Sequence, residues 1–185
     1  MRKATVWMAV LGLGALSAGR TQAQGMMLTS PDIKEGTTIA SEQVFDSFGC
    51  SGANISPELS WSGVPNGTKS LAVSIYDSDA PTGWWHWMVF NIPPGTTSLP
   101  KDAGDVKKKL MPKRAIQSRN DFGSDGYSGP CPPAGHKPHH YQITVFALDV
   151  DKLPDANNNA ASAALVGDLH LHTLAKATLT GLYGR

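Results

Sequence analysis

A mainly β domain of antiparallel sheets, with one late helix and a closing strand, is the architecture this 185-residue chain predicts. Three observations carry that expectation. Short apolar segments recur at short spacing, each bounded by Gly- and Pro-rich turns. Only one stretch has helical spacing. No internal repeat or low-complexity tail competes with a single compact unit.

The first 23 residues stand apart. A basic start (Arg2, Lys3), an apolar run from Ala4 to Leu16 and a small, polar Ser17 to Ala23 have the layout of a secretory signal peptide. Cleavage is expected after Ala23, or earlier after Ala18, and the run is too short to span a bilayer comfortably. The expected mature chain, 24–185, is one domain that is exported, periplasmic or secreted, without a transmembrane segment. Loss of Arg2, Lys3 and Arg20 shifts the formal charge from +1 to −2. That balance excludes a concentrated basic nucleic-acid surface. The cluster Lys107-Lys-Lys109 with Lys113 and Arg114 reads as a solvated loop.

In chain order, Met26 to Leu28 and Gln43 to Phe45 read as short strands, and Ser56 to Trp61 enters extended structure. Pro65-Asn-Gly67 is a turn. Lys69 to Tyr76 is continuously apolar, as a buried strand should be. Trp85 to Ile92 is the next strand, ended by Pro93-Pro94-Gly95, and Gly95 to Asp125 reads as a long surface connection. A loop dense in Gly and Pro, Gly126 to Pro138, delivers the strand His139 to Asp149. Asn157 to His172 has helical spacing, with Asn157 to Asn159 placed to cap its start. Ala177 to Tyr183 is the closing strand.

The chemistry concentrates where these strands meet loops. Asp77 and Asp79 follow the apolar strand, and His86 opens the next one among Trp84, Trp85 and Trp87. His139 and Tyr141 share a face, because residues two apart in a strand point the same way. Two imidazoles, a phenol and a carboxylate at one sheet end make a small-ligand pocket. Imidazole N–H, tyrosine O–H and loop backbone N–H groups are donors, so the natural ligand is an anion such as phosphate or carboxylate. The acids would orient the histidines or accept from an ammonium on the ligand.

Other readings compete. His86 among tryptophans is also compatible with a satisfied core histidine, and Trp84 and Trp87 read as core rather than ligand platform. His170 and His172 read as structural or surface positions. Zinc lacks support from any His-x-Glu or Cys-x-x-Cys pattern. Ser51 and Ser128 sit outside a Gly-x-Ser-x-Gly elbow, so no serine hydrolase is indicated. No cofactor is expected. In an exported chain the pair Cys50 and Cys131 invites a disulfide, with a catalytic thiol as the alternative.

Two long signatures then carry a resemblance. Asp77-Ser-Asp-Ala-Pro81 with Gly83-Trp-Trp-His-Trp87, and Gly129-Pro-Cys-Pro-Pro-Ala-Gly135 with His139-His-Tyr141, resemble the phosphatidylethanolamine-binding protein family. Asn54-Ile-Ser-Pro-Glu-Leu-Ser-Trp61, Val64 to Ser70 and Gly181-Leu-Tyr-Gly-Arg185 look like its bacterial YbhB/YbcL-type, Raf kinase inhibitor-like branch. The resemblance spans essentially the whole mature chain. It implies antiparallel sheets of Greek-key character and an anion pocket for phosphate or a phosphoethanolamine-like phospholipid headgroup. It carries that pocket onto Asp77, His86, Pro132, His139 and Tyr141, with Asp79 as a supporting acid. Two positions depart from the pattern: Ser78 stands in place of proline and His140 in place of arginine. The implied role is a non-enzymatic binding protein, monomer or homodimer. Modulation of a protease or kinase as a protein partner is the alternative, and a hydrolase using His86 or His139 as general base, oriented by Asp77, is the third reading.

Overall fold

A computed structural model describes residues 25–154, 156–157 and 159–185. The expected leader, 1–23, lies outside them. Eight strands and one helix follow in order: β1 Met27–Thr29, β2 Leu59–Ser62, β3 Ser70–Asp77, β4 Trp84–Ile92, β5 Ser98–Leu99, β6 Ile116–Gln117, β7 His139–Leu148, α1 Ser162–His172 and β8 Thr173–Tyr183. They form a three-stranded sheet, β1-β2-β5, and a five-stranded sheet, β6-β4-β3-β7-β8. Every pairing between named strands is antiparallel.

Strand β3 is continuously apolar because it is the middle strand of the larger sheet and is covered on both faces. Leu71, Val73 and Ile75 point into the main core with Trp87, Val89 and Ile143, where Leu59, Trp61 and Leu99 of the smaller sheet meet them. Ala72 points the other way, into a second cluster with Met88, Phe90, Leu165 and Leu169, which is covered by α1. Alternation along each strand therefore feeds two cores, and a strand feeding two cores loses its polar face.

Four local expectations change. Val44 and Phe45 are buried, yet this segment is a turn. The amides of Gln43 and Val44 bond to the carbonyls of Ala40 and Ser41, three residues back, so burial there comes without a sheet ladder. The helix begins at Ser162 after Ala161, without a side-chain cap. Asn157 instead accepts from the Asn159 amide in a local turn. Strand β8 starts four residues before Ala177, because its ladder with β7 runs out to Leu148 opposite Thr173. The connection from Gly95 to Asp125 holds two short strands, β5 and β6.

Cys50 and Cys131 are joined by a disulfide with Cα atoms 5.9 Å apart. It ties the Phe48–Asn54 loop to the Gly129–Pro133 loop. The same two loops close on Arg185, whose guanidinium donates to the carbonyls of Pro132 (2.8 Å) and Gly49 (2.7 Å). No described helix is long and apolar enough to cross a membrane.

Candidate functional site

A single row of cross-strand neighbours builds the rigid wall of the site. Trp84 of β4 stands opposite Asp77 of β3, and Asp77 stands opposite Tyr141 of β7. Directly opposed residues share a face, so all three side chains leave the sheet on the main-core side. His139 lies one pleat further along β7, on the same face as Tyr141 and buried like it.

His86 reaches this face through an irregularity. Ile75 pairs with Trp87 but Tyr76 pairs with Trp85, which leaves His86 as the extra residue of a β-bulge. In an unbroken strand His86 would share the face of Met88 and Phe90, beneath the helix. The bulge turns it into the pocket, where such irregularities commonly re-aim a side chain.

The turn between the two strands closes around Asp77. One carboxylate oxygen accepts the amides of Asp79 (2.9 Å) and Ala80 (3.2 Å), and the other accepts Nδ1–H of His139 at 2.7 Å. Gly83 is held at φ +70°, and a Cβ there would overlap the Tyr76 hydroxyl, so this turn requires glycine.

Nδ1 of His86 lies 2.7 Å from the carbonyl of Ser128 and 3.1 Å from that of Gly129. Both partners are acceptors, so the proton sits on Nδ1 and Nε2 is the free nitrogen. Burial holds the pKa of this ring below the ordinary histidine value, against the opposing pull of the Ser128 carbonyl and the Asp77 charge. Gly129 reaches His86 because nothing projects from its Cα: a Cβ would sit 2.0 Å from the Gln43 carbonyl oxygen.

Tyr141 is wholly buried, and its ring meets His86 edge to face at 5.1 Å between centroids. Its hydroxyl interacts with the Asp77 carboxylate short of full hydrogen-bond geometry, and it has no other partner among the described residues. Burial first, and Asp77 second, push the phenol well above its ordinary pKa, so it remains an O–H donor. The buried Trp84 indole N–H is likewise unpartnered.

These groups surround a cavity of about 270 Å³ lined by Asp77, Trp84, His86, Phe122, Pro132 and His139, among others. That is just under the range of roughly 300–1,000 Å³ typical of drug-sized ligand sites, which favours a small ligand. A larger hollow of about 700 Å³ lies beside Asp102 and Lys108 but contains no histidine. No group of three or more described His, Cys, Asp or Glu side chains is arranged to hold a metal ion.

Among the residues the sequence singled out, Asp77, His86, Pro132 and His139 line the cavity, and Tyr141 lies behind His86. Asp79 does not line it. Its carboxylate turns outward to accept the backbone N–H (2.6 Å) and Nδ1–H (2.8 Å) of His140, and the backbone bond is the main reason its pKa lies below normal. Asp79 and His140 thus pin the turn to the edge of β7.

Among the lining residues that the sequence reading did not assign to the site, three carry aromatic rings. Trp84 belongs to the cavity, because the bulge gives it the face opposite to that of Met88. Phe122 comes from the long connection and had no periodic signal. His136 stands three residues before His139, a turn-length spacing that brings Nδ1 of the former to 3.3 Å from Nε2 of the latter.

Residues 29–184 match the family model described as phosphatidylethanolamine-binding protein. The chain is 52% identical over 165 residues to UPF0098 protein YbcL of Escherichia coli K12, covering 88% of this chain and 89% of that one. It is 43% identical over 160 residues to YbhB of the same organism, covering 85% and 99%. The crystal structure of E. coli YbcL, described as a new member of the mammalian PEBP family, superposes with a TM-score of 0.85 at 48% identity, covering 88% of this chain and 99% of that one.

Proposed function

The chain belongs to the phosphatidylethanolamine-binding protein family, and on that footing we propose that it captures a small anionic or phosphorylated ligand in the Asp77–His86–His139–Tyr141 pocket. The observation that carries this reading is the pair of buried donors without partners, the Tyr141 hydroxyl and the Trp84 indole N–H. Leaving such a group unpaired costs about 1–3 kcal/mol, and an acceptor-rich ligand in the cavity that Trp84 lines would satisfy the indole, with the Tyr141 hydroxyl directly behind the Asp77 and His86 lining. Phosphate and a phosphoethanolamine-like headgroup have that chemistry, and Asp77 could accept from the ammonium of the latter.

Capture fits the cavity better than catalysis does. Its lining offers imidazole, carboxylate, proline and aromatic rings, but no serine, threonine or free thiol to act as nucleophile, since Cys131 is held in the disulfide. Export belongs to the same proposal. It is supported by the leader-like residues 1–23 and by the Cys50–Cys131 bridge, because disulfides persist in oxidising compartments.

A second reading, modulation of a protein partner, draws on Phe48. This side chain is 69% exposed beside the pocket and contacts Phe45 and Phe122. Exposed aromatic side chains of that kind anchor protein contacts.

Calorimetric titration with phosphate and with phosphoethanolamine tests the first reading, using the protein and its His86→Ala and His139→Ala variants. Saturable binding abolished in both variants is the expected result. No heat at millimolar ligand with folded protein would overturn it, and binding of a protein partner that depends on Phe48 would favour the second.

A further inference from the structure

We propose that His136 is a third histidine of the pocket, and that it takes up the proton that accompanies anion binding. This rests on the capture reading and adds a residue and a proton to it.

The hydrogen bonds decide where protons lie when the three rings are neutral. His86 directs its Nδ1–H to the carbonyls of Ser128 and Gly129, and His139 directs its own to Asp77. A neutral imidazole carries one N–H, so Nε2 of each ring is a lone pair. The lone pair of His139 accepts from Nδ1–H of His136 at 3.3 Å. Neither buried imidazole then has an N–H to give an anion.

Three nitrogens could take an added proton. His86 is the costliest to charge, because it is 2% exposed and its ring is packed edge-on against Phe122 (5.3 Å) and Tyr141. His139 charged on Nε2 would keep that contact with its direction reversed, donating to Nδ1 of a His136 protonated on Nε2, but the charge would then sit on a ring only 5% exposed. His136 has neither difficulty. It lines the cavity from an exposed position, and as an imidazolium it still donates Nδ1–H to His139 while gaining a second N–H.

The charges around it suit that assignment. Asp77 at the end of β3 is linked to His136 through His139, so a carboxylate balances the new cation two hydrogen bonds away. His86 faces the same cavity from β4 and is neutral. Asp79 and His140 are paired with each other outside it, and Arg185 is engaged by the carbonyls of Pro132 and Gly49. Lys137, next along the chain, is exposed. A negative ligand at the cavity therefore stabilises protonated His136, and by reciprocity protonated His136 tightens the ligand. The sign follows directly. Affinity rises as pH falls, by at most tenfold per unit for one proton, and levels off once His136 is charged in the free protein.

Imidazole ¹⁵N spectra of histidine-labelled protein, titrated with pH with and without saturating inorganic phosphate, test this. The expected result is that phosphate moves the His136 transition upward by roughly one pH unit, equivalent to tenfold tighter binding, while His86 and His139 remain Nδ1–H tautomers. A His136→Gln variant should bind phosphate about tenfold more weakly near pH 6, with the deficit shrinking toward pH 8. A purely structural role would give the same deficit at both. Saturable binding with His136 unmoved, or with the proton on His86 or His139, overturns the inference and leaves capture standing. No saturable change at any ring would sink both.

Discussion

Replacing Tyr141 by Phe should make the ligand-free protein more stable and the binding site weaker. The substitution deletes one oxygen from a ring with no solvent exposure and leaves the packing against His86 in place. In the ligand-free state that oxygen has no hydrogen bond of full geometry, only the pull of the Asp77 carboxylate beside it. The desolvation cost of such a group is about 1–3 kcal/mol, and part of the gain is offset by the small space left behind. A net stabilisation of about 1 kcal/mol is expected, which corresponds to roughly 2–4 °C in Tm for a domain of this size. Urea and thermal unfolding in phosphate-free buffer measure it. Saturating phosphate should then narrow or reverse the difference, because the tighter-binding protein gains more from mass action. If Tyr141→Phe instead destabilises the ligand-free protein by 1 kcal/mol or more, the hydroxyl has a satisfied role in the empty fold. The Tyr141 hydroxyl is then not a donor left for a ligand.

Three further outcomes follow from the same structure. Reduction of Cys50–Cys131, or a double Cys→Ser substitution, releases a loop of 81 residues and should cost about 4.5 kcal/mol by chain entropy. Denaturant titration with and without reductant reads this, and a loss below about 1 kcal/mol would contradict it. Gly129→Ala should cost about 1–3 kcal/mol and weaken phosphate binding, since the new methyl group meets the Gln43 carbonyl and pushes the Ser128–Gly129 segment off His86. Asp79→Asn should leave stability near pH 7 almost unchanged, because the Asp79–His140 pair is largely solvent-exposed. The small loss belongs to neutral pH and disappears in acid. A carboxyl held below its usual value adds stability above that value and loses it as pH falls through the folded one, so the variant's stability curve should flatten at the acid end.

Much of the fold was legible because its signals are local. The apolar run ending at Tyr76, the break at Pro93-Pro94-Gly95 and the alternation after His139 each mark a strand by composition alone. What escaped depended on distant partners. Val44 and Phe45 are apolar and buried, but only the Gly129–Pro133 loop lying across them decides that they form no strand. The start of β8 at Thr173 is fixed by β7 rather than by residues 173–176, which carry no strand pattern of their own. The site divided along the same line. Asp77, His86, His139 and Tyr141 could be picked out by residue type and position, and the two signatures added Pro132. Asp79 looked equivalent to Asp77 in sequence, but β3 ends at Asp77 and the turn that follows carries Asp79 outward, where His140 holds it. Trp84 was misread as core because a β-bulge cannot be seen in alternation.

That bulge also explains how a sheet this apolar can hold a polar site. On the main-core face, β3 presents Leu71, Val73, Ile75 and then Asp77, so the pocket is the open end of the core itself. A charged or imidazole group in that row must be satisfied by protein, or it would oppose folding. Asp77 receives two amides and an imidazole, and His86 receives two carbonyls. Most of these partners are backbone groups of the turn after β3 and of the loop before β7, and the disulfide and Arg185 fasten that loop in place. Orientation of the imidazoles is therefore set before any ligand arrives, and binding need not meet the cost of ordering them. Under the proposed capture, the Tyr141 and Trp84 donors left unpaired at this end of the core are the ones a ligand would satisfy. If it captures an anion as proposed, a site built this way would select by acceptor geometry and proton supply, with little dependence on the rest of the ligand. The same physical account therefore predicts that phosphate and phosphoethanolamine should differ only through the contact of the ammonium with Asp77.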